Sequence, residues 1–399
     1  MTPFPEGGSS LYRSKRLAVK PIIVLLVAVS ILLGACGRRV SNQNWPGITT
    51  SGDAVFVAYG NGVAAVNIPE QELQWTFPDE MSASLLFYAQ PSVHEDRVVI
   101  GDYGASGGMF SPRTTVSIYA LGRPENAGAP PSLLWVRDDV ATDRIIAPAL
   151  QTDRQVFVGT ADNHLYAFEA ETGELQWEFP TDHSIWAQPE YTEGYVYVAS
   201  LDNSVYALDP NSGELKWETA LEGSVAGHPV LSEGLLYVPS FDRQLHALNA
   251  NSGEELWAAD AANWVWGSPA VGGGSVFYGD IDGNIYAVSA ATGESQWTAT
   301  VSGAVQSALL YDDGVVFVSS GETEGEEEQR GGALTALDAE QGDVIWQAET
   351  AAPVFSAPVM VGDSIVIVFQ PAEGPVLNVF DREDGALAWE FMLPAASQQ

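Results

Sequence analysis

Residues 207–217 read ALDPNSGELKW, and residues 167–177 read AFEAETGELQW. The two stretches lie 40 positions apart and share an alanine at the first place, a glycine at the seventh and a tryptophan at the eleventh. Self-similarity at a fixed period marks a repeat architecture and takes precedence over any other motif. The tryptophan recurs as Trp75, Trp135, Trp177, Trp217, Trp257, Trp297, Trp346 and Trp389, with spacings of 60, 42, 40, 40, 40, 49 and 43, which makes eight copies of one unit.

The inside of a unit is legible in residues 228–260. HPVL leads through Ser-Glu-Gly to LLYVPS, then Asp242-Arg243, QLHALNA, Asn-Ser-Gly and EELWAAD. Short runs rich in Val, Leu and Tyr, punctuated by Gly, Asn and Asp, read as strands joined by tight turns. Four strands and their turns consume about 40 residues, which accounts for the period. A helical repeat would need apolar residues at 3.6 spacing over ten or more positions, and no unit offers that. The pattern predicts an all-β fold, an eight-bladed β-propeller of four-stranded antiparallel blades whose twisted sheets bury both faces against their neighbours. Each outer strand follows its own inner three, so the ring is expected to close without strand exchange.

The repeated residues then have physical roles. The first motif position is Ala65, Ala120, Ala167, Ala207, Ala247, Ala287 and Ala336, with Val379 in the last unit. A small side chain there leaves room for a large ring. The glycine supplies the positive φ of a tight turn between third and fourth strands. The tryptophan is expected to open the outer strand and dock one blade on the next, so all eight are read as structural. The pattern A-x-D-x-x-x-G-x-x-x-W resembles the docking motif of the pyrroloquinoline-quinone (PQQ) repeat family over residues 45–392. Gln71 stands in place of the glycine in the first unit, and the second carries extra residues between Ala120 and Trp135. Those two blades are expected to be the least regular.

Before the repeats, Arg13, Lys15, Arg16 and Lys20 precede the apolar run PIIVLLVAVSILLGAC, the layout of a secretory signal. Its end, Leu33-Gly34-Ala35-Cys36, resembles the bacterial lipobox, and Cys36 is the sole cysteine. That resemblance implies lipidation of Cys36 and anchoring by more than one acyl chain, which a stable anchor requires. The expected organisation is a cleaved leader at 1–35, a lipidated tether at 36–44, the propeller at 45–394 and a short tail at 395–399. The protein is expected outside the cytoplasmic membrane, held to it or to an outer membrane. Removing residues 1–35, with four basic residues and one acid, takes the formal charge from -36 to -39. So acidic a body repels nucleic acid and anionic lipid, and DNA or RNA binding is not expected.

Redox members of the PQQ family resemble one another in a calcium ion held by Glu, Asn and Asp, a catalytic Asp and often two adjacent cysteines. With Cys36 alone, and no carboxylate assignable to those roles, no cofactor is expected: PQQ is disfavoured, and calcium stays open but unsupported, the acidic run 321–328 being able to take calcium or a basic partner. His94, His164, His183, His228 and His246 are scattered, with no two-histidine metal spacing. VGGGS at 271–275 lacks the helix a phosphate cradle needs. No catalytic constellation emerges, and the protein is not expected to be an enzyme. The acidic run GETEGEEE, 321–328, and DYGASGGMFSPRT, 102–114, both fall between second and third strands and are expected to enlarge one face. The acidic run reads as a solvated loop, without the ligand alternation of a calcium site.

Three residues before the proline of successive first strands, or before Leu309, stand Tyr88, Ile145, Trp186, Ala226, Trp266, Gln306 and Phe355. Together with Trp264 and His183 nearby, they are expected to form an apolar collar at the channel mouth. Exposed aromatic clusters mark binding surfaces, so Tyr88, Trp186, Trp264, Trp266 and Phe355 are the candidate partner or ligand contacts. A lipobox plus such repeats resembles the lipoprotein propellers of the outer-membrane β-barrel assembly machinery. That resemblance implies a non-catalytic, monomeric scaffold binding envelope proteins. The alternatives are a ligand- or glycan-binding sensory propeller and a PQQ-dependent dehydrogenase.

Overall fold

The computed structural model describes residues 46–79, 85–104, 116–124, 128–322, 331–371, 374 and 376–394. The leader, Cys36, the tether, Trp45, the tail 395–399 and most of both insertions lie outside them. Among the described residues all regular structure is strand, and no helix is long and apolar enough to cross a membrane.

Thirty-two strands form eight four-stranded antiparallel sheets, each made of four consecutive strands. Blade 1 runs from β1 (Gly47–Ser51) to β4 (Glu72–Phe77), blade 2 from β5 (Ser92–His94) to β8 (Ser132–Arg137), and blade 3 from β9 (Leu150–Gln151) to β12 (Leu175–Pro180). Blade 4 runs from β13 (Glu190–Thr192) to β16 (Leu215–Ala220). Blade 5 comprises β17 (Val230–Ser232), β18 (Leu235–Ser240), β19 (Gln244–Asn249) and β20 (Glu255–Asp260). Blade 6 runs from β21 (Ala270–Gly272) to β24 (Ser295–Thr300), blade 7 from β25 (Leu310–Asp312) to β28 (Val344–Thr350), and blade 8 from β29 (Val359–Val361) to β32 (Leu387–Met392). The eight-bladed propeller is thus as the period predicts.

Apolar residues collect at the seams, one core per pair of neighbouring blades. Between blades 4 and 5, Val205, Ala207 and Trp217 meet Leu236, Val238 and Leu248. The ring closes in the same way, with Ile48, Val55 and Val57 of blade 1 against Val366, Leu377, Val379 and Trp389 of blade 8. Among the described residues no strand crosses from one end of the chain into the other's sheet, because every sheet uses consecutive strands. Closure is therefore a matter of side-chain packing.

The repeated motif is the seam itself. Each small residue lies directly across the ladder from its own tryptophan, Ala207 opposite Trp217 and Val379 opposite Trp389, and a bulge follows immediately. The ring then leans onto the turn of the next blade. A side chain added at Gly213 would put its Cβ 2.7 Å from Trp177, and Gly213 also sits at φ 70°. Glycine is required there twice, for the turn and for the close approach. In blade 1 Gln71 adopts φ 55° in its place. Among the described residues, five seams add a hydrogen bond from the indole N–H to a carbonyl of the next blade: Trp135 to Ala170 (3.0 Å), Trp177 to Pro210 (2.9 Å), Trp217 to Ala250 (3.1 Å), Trp297 to Ala339 (2.9 Å) and Trp346 to Arg382 (3.0 Å). The tryptophan does not open its strand: Trp217 is the third residue of β16, because the strand begins as soon as the glycine turn ends.

Candidate functional site

One end of the propeller is organised by clasps. At each connection between blades 2 and 7, one backbone N–H donates to the end of the second strand of the blade just left, while a neighbouring carbonyl accepts from the next blade. Between blades 3 and 4, Ile185 N–H donates to Thr160 O (3.0 Å) and Ser184 O accepts from Leu201 N–H (3.0 Å). Val225 and Ser224 repeat this between blades 4 and 5, bonding Ser200 and Phe241, as do Val265 and Trp264 between blades 5 and 6, bonding Ser240 and Ile281. The connections and the turns between second and third strands thus share one face, and both sequence insertions leave from it.

Aspartates in those turns stiffen the face. Asp162 Oδ2 accepts from the Thr142 amide (2.7 Å), and Asp202 Oδ2 accepts from the Asp182 amide (2.8 Å). Asp280, with no exposed surface, accepts from the amides of Asn263 (3.2 Å), Asp282 (3.0 Å) and Asn284 (3.0 Å) and from the Tyr286 hydroxyl (2.9 Å). Burial pushes the Asp102 carboxyl above the usual carboxylate range, although the Ser117 and Gly104 amides and the Tyr119 hydroxyl pull it the other way.

The clasps hold aromatic rings at fixed positions. Phe241, at the tip of the β18–β19 turn, stacks on Trp264 (centroids 5.1 Å, 17°) and tilts against Trp266 (5.0 Å, 41°), both on the connection from blade 5 to blade 6. Trp264 is 45% exposed, the one tryptophan among the exposed large apolar residues described. A second group joins Tyr88 to Tyr103 edge-to-face at 4.6 Å, with the Arg144 guanidinium 4.6 Å over the Tyr103 ring and Arg144 Nη1 donating to its hydroxyl (2.7 Å). Burial, with the charge of Tyr103 adding, raises the Tyr88 hydroxyl pKa.

Tyr88, Trp186, Trp266, Gln306 and Phe355 are all half-buried on the connections, while Ala226 is buried. Ile145 does not belong with them. Its amide makes the clasp bond, to Asp102 O at 3.1 Å, in the slot Ile185 holds one blade later, and its side chain is buried. Pro148 lies one residue out of phase with the other prolines, so Ile146 takes the collar position. His183 is exposed beside Trp186. Phe241 and Tyr103 were not singled out by sequence. The signal available was the column Ala161, Leu201, Phe241, Ile281, an apolar residue at the same turn position in four successive units.

The opposite end carries polar turns. Among the described residues one group brings three potential metal-binding side chains together, His94, Glu95 and Asp153, whose ligand atoms lie within 4.8 Å of one another. His94 Nε2 and Asp153 Oδ1 pair directly at 2.9 Å. These are surface groups on turns between first and second strands, and the set contains a histidine and no asparagine. It does not fit the Glu–Asn–Asp calcium set of redox PQQ proteins. A polar cleft of about 350 Å³ adjoins it, lined by Asp153, Arg154, Glu169 and Glu171 among others.

The family model described as outer membrane protein assembly factor BamB matches residues 131–225, 183–264, 204–322 and 282–399. None of the curated proteins compared with the chain matches it. Among solved structures, BamB from Moraxella catarrhalis is 18% identical with a TM-score of 0.63, over 83% of this chain and 92% of that one. A europium-containing methanol dehydrogenase (14%, TM-score 0.61, 78% and 79%) and a quinohemoprotein alcohol dehydrogenase from Pseudomonas putida (14%, TM-score 0.62, 80% and 68%) share the fold as well. At such identities these structures establish the fold alone.

Proposed function

This chain belongs to the family described as outer membrane protein assembly factor BamB, and from that membership we propose that it is a lipid-anchored, non-catalytic scaffold of the cell envelope. It binds protein partners through the clasp face, in outer-membrane protein assembly where its cell has an outer membrane. The observation that carries this reading is the Phe241–Trp264–Trp266 group, with Trp264 45% exposed on a backbone fastened to both flanking blades. Rigid aromatic side chains at a protein surface are the usual anchors of an interface, since little conformational freedom is lost when they are covered. The formal charge of -36 favours partner surfaces that carry positive charge.

Crosslinking in native membranes, followed by identification of the adduct, tests the proposal. The double substitution Trp264→Ala and Trp266→Ala is expected to weaken the identified complex by roughly 30-fold or more, the scale of two hot-spot contacts, while the thermal transition of the propeller persists. An adduct that survives the double substitution undiminished would remove the clasp face from the reading. Saturable quenching of tryptophan fluorescence by small glycans would favour a ligand-binding propeller instead. Anchoring is tested separately. Cys36→Ser is expected to move the protein from the membrane to the soluble extracytoplasmic fraction and to abolish incorporation of labelled fatty acid, and unchanged fractionation would refute the anchor.

A further inference from the structure

In four blades a tyrosine of the third strand donates its hydroxyl to an aspartate of the preceding turn: Tyr119 to Asp102 (3.2 Å), Tyr166 to Asp162 (3.2 Å), Tyr206 to Asp202 (3.0 Å) and Tyr286 to Asp280 (2.9 Å). Blade 5 departs from this. His246 occupies the position, and its Nε2 faces Asp242 Oδ2 at 3.1 Å. The imidazole has a second nitrogen, and Nδ1 faces Glu255 Oε2 at 2.8 Å. His246 is 4% exposed. A tyrosine could reach only one of these carboxylates; the histidine spans both and so links the turn of the clasp face to the start of the outer strand β20.

The seam that β20 makes is also unlike the others. Trp257 leans on the Gly293 turn of blade 6, where a Cβ would come within 2.7 Å of its ring. The carbonyl that should accept its indole N–H, that of Ala290, instead accepts the Tyr237 hydroxyl at 3.0 Å. Trp257 Nε1 is buried with no hydrogen-bond partner. This seam lacks the bond that fastens five of its counterparts, and β20 leans correspondingly on whatever holds its first residue, Glu255.

We infer that blade 5 carries a proton-operated staple on its blade 4 face: protonated His246 ties β20 to the clasp-face turn through Glu255 and Asp242, and loss of the proton lets β20 go. Both carboxylates only accept hydrogen bonds, so both contacts exist together only when each ring nitrogen bears a hydrogen. A neutral ring has one N–H, and one contact becomes acceptor against acceptor. The Asp242 side chain is 9% exposed, and its Oδ1 accepts the Gln244 amide at 3.1 Å, so it stays. The Glu255 side chain is 46% exposed and can turn into water, so it leaves.

Across the ladder the ring is paired with Val238 of β18 and Ala258 of β20. The further charge on that face of β20 is Asp260, whose Oδ1 accepts the Gln244 side-chain amide at 2.8 Å. On the blade 4 side the same face packs on Val205, Ala207 and Trp217. Burial pulls the imidazole pKa down, but the hydrogen bonds and charges of Asp242 and Glu255 outweigh it and raise the pKa above its ordinary value. A raised folded value means that the staple stabilises fully below the unfolded pKa, near 6.5, and is lost as pH rises through the folded one. This inference does not depend on which partner the clasp face binds.

His246→Tyr, which installs the ring of four other blades, is the direct test. The unfolding equilibrium of wild type and variant is measured by urea titration from pH 5 to pH 9, and His246 is followed by proton NMR. Relative to the variant, the wild type is expected to lose stability as pH rises, its unfolding constant growing about tenfold for each unit separating the folded and unfolded pKa values. Parallel pH profiles, or a His246 pKa at or below the ordinary value, would overturn the staple. Should His246→Tyr fail to fold, Glu255→Gln serves instead. It is expected to lower the His246 pKa measurably, and an unchanged value would equally dismiss the inference.

Discussion

Replacing Trp217 with alanine is expected to cost about 3–5 kcal/mol of stability, the range for truncating a buried indole. The ring is 9% exposed and fills the seam of blades 4 and 5, where it touches the glycine turn at Gly253 and packs with Val238 and Leu248. Its removal leaves a cavity that the β-sheets on either side cannot collapse into, because the clasps fix the spacing of the blades. It also leaves the Ala250 carbonyl without the indole N–H it accepts at 3.1 Å. Urea unfolding is the measurement, with the midpoint falling and the slope unchanged. A loss below about 1 kcal/mol would mean that the tryptophans are not what docks the blades. Since the other seven tryptophans stand in equivalent places, that result would reach the whole ring.

Asp280→Ala is expected to destabilise by roughly 3–5 kcal/mol, since five groups lose a shared buried acceptor at about 1 kcal/mol each. Those groups are the backbone amides of Asn263, Asp282 and Asn284, the Asn284 side-chain amide and the Tyr286 hydroxyl. The Asn263 amide belongs to the connection that carries Trp264, so the substitution should also change tryptophan emission and weaken partner crosslinking more than its effect on folding alone. Asp260→Ala, at an exposed position, is the control and should remain within about 0.5 kcal/mol of wild type. Equal effects of the two substitutions would show that Asp280 is not the hub of its turn.

These two residues differ in how readily they could be read. Trp217 announces itself, because a period of about 40 residues brings back the same alanine, glycine and tryptophan and each copy must do the same job. Asp280 is one acid among 52 acidic residues, and nothing local distinguishes it from exposed neighbours. Counting back from the prolines marks a column of half-buried positions, yet at Ile145 the count is one residue off, because Pro148 is displaced. Only the clasp hydrogen bond from Ile145 to Asp102 reveals the true alignment. Likewise the period marked Trp257 as equivalent to its counterparts. Its unpartnered indole follows from Tyr237, whose hydroxyl reaches the carbonyl of a residue 53 positions away.

The amino-acid sequence by itself determined the number of blades, the four-strand order within each and the residues that dock them. Those properties are set by backbone turns and by side-chain size, which act within one unit and are copied with it. The tertiary structure alone decided that Phe241 meets Trp264 and Trp266 and that His246 reaches two carboxylates. Such contacts depend on where neighbouring blades place their side chains in space, and a repeat that varies by one residue leaves its period intact while changing what its atoms touch.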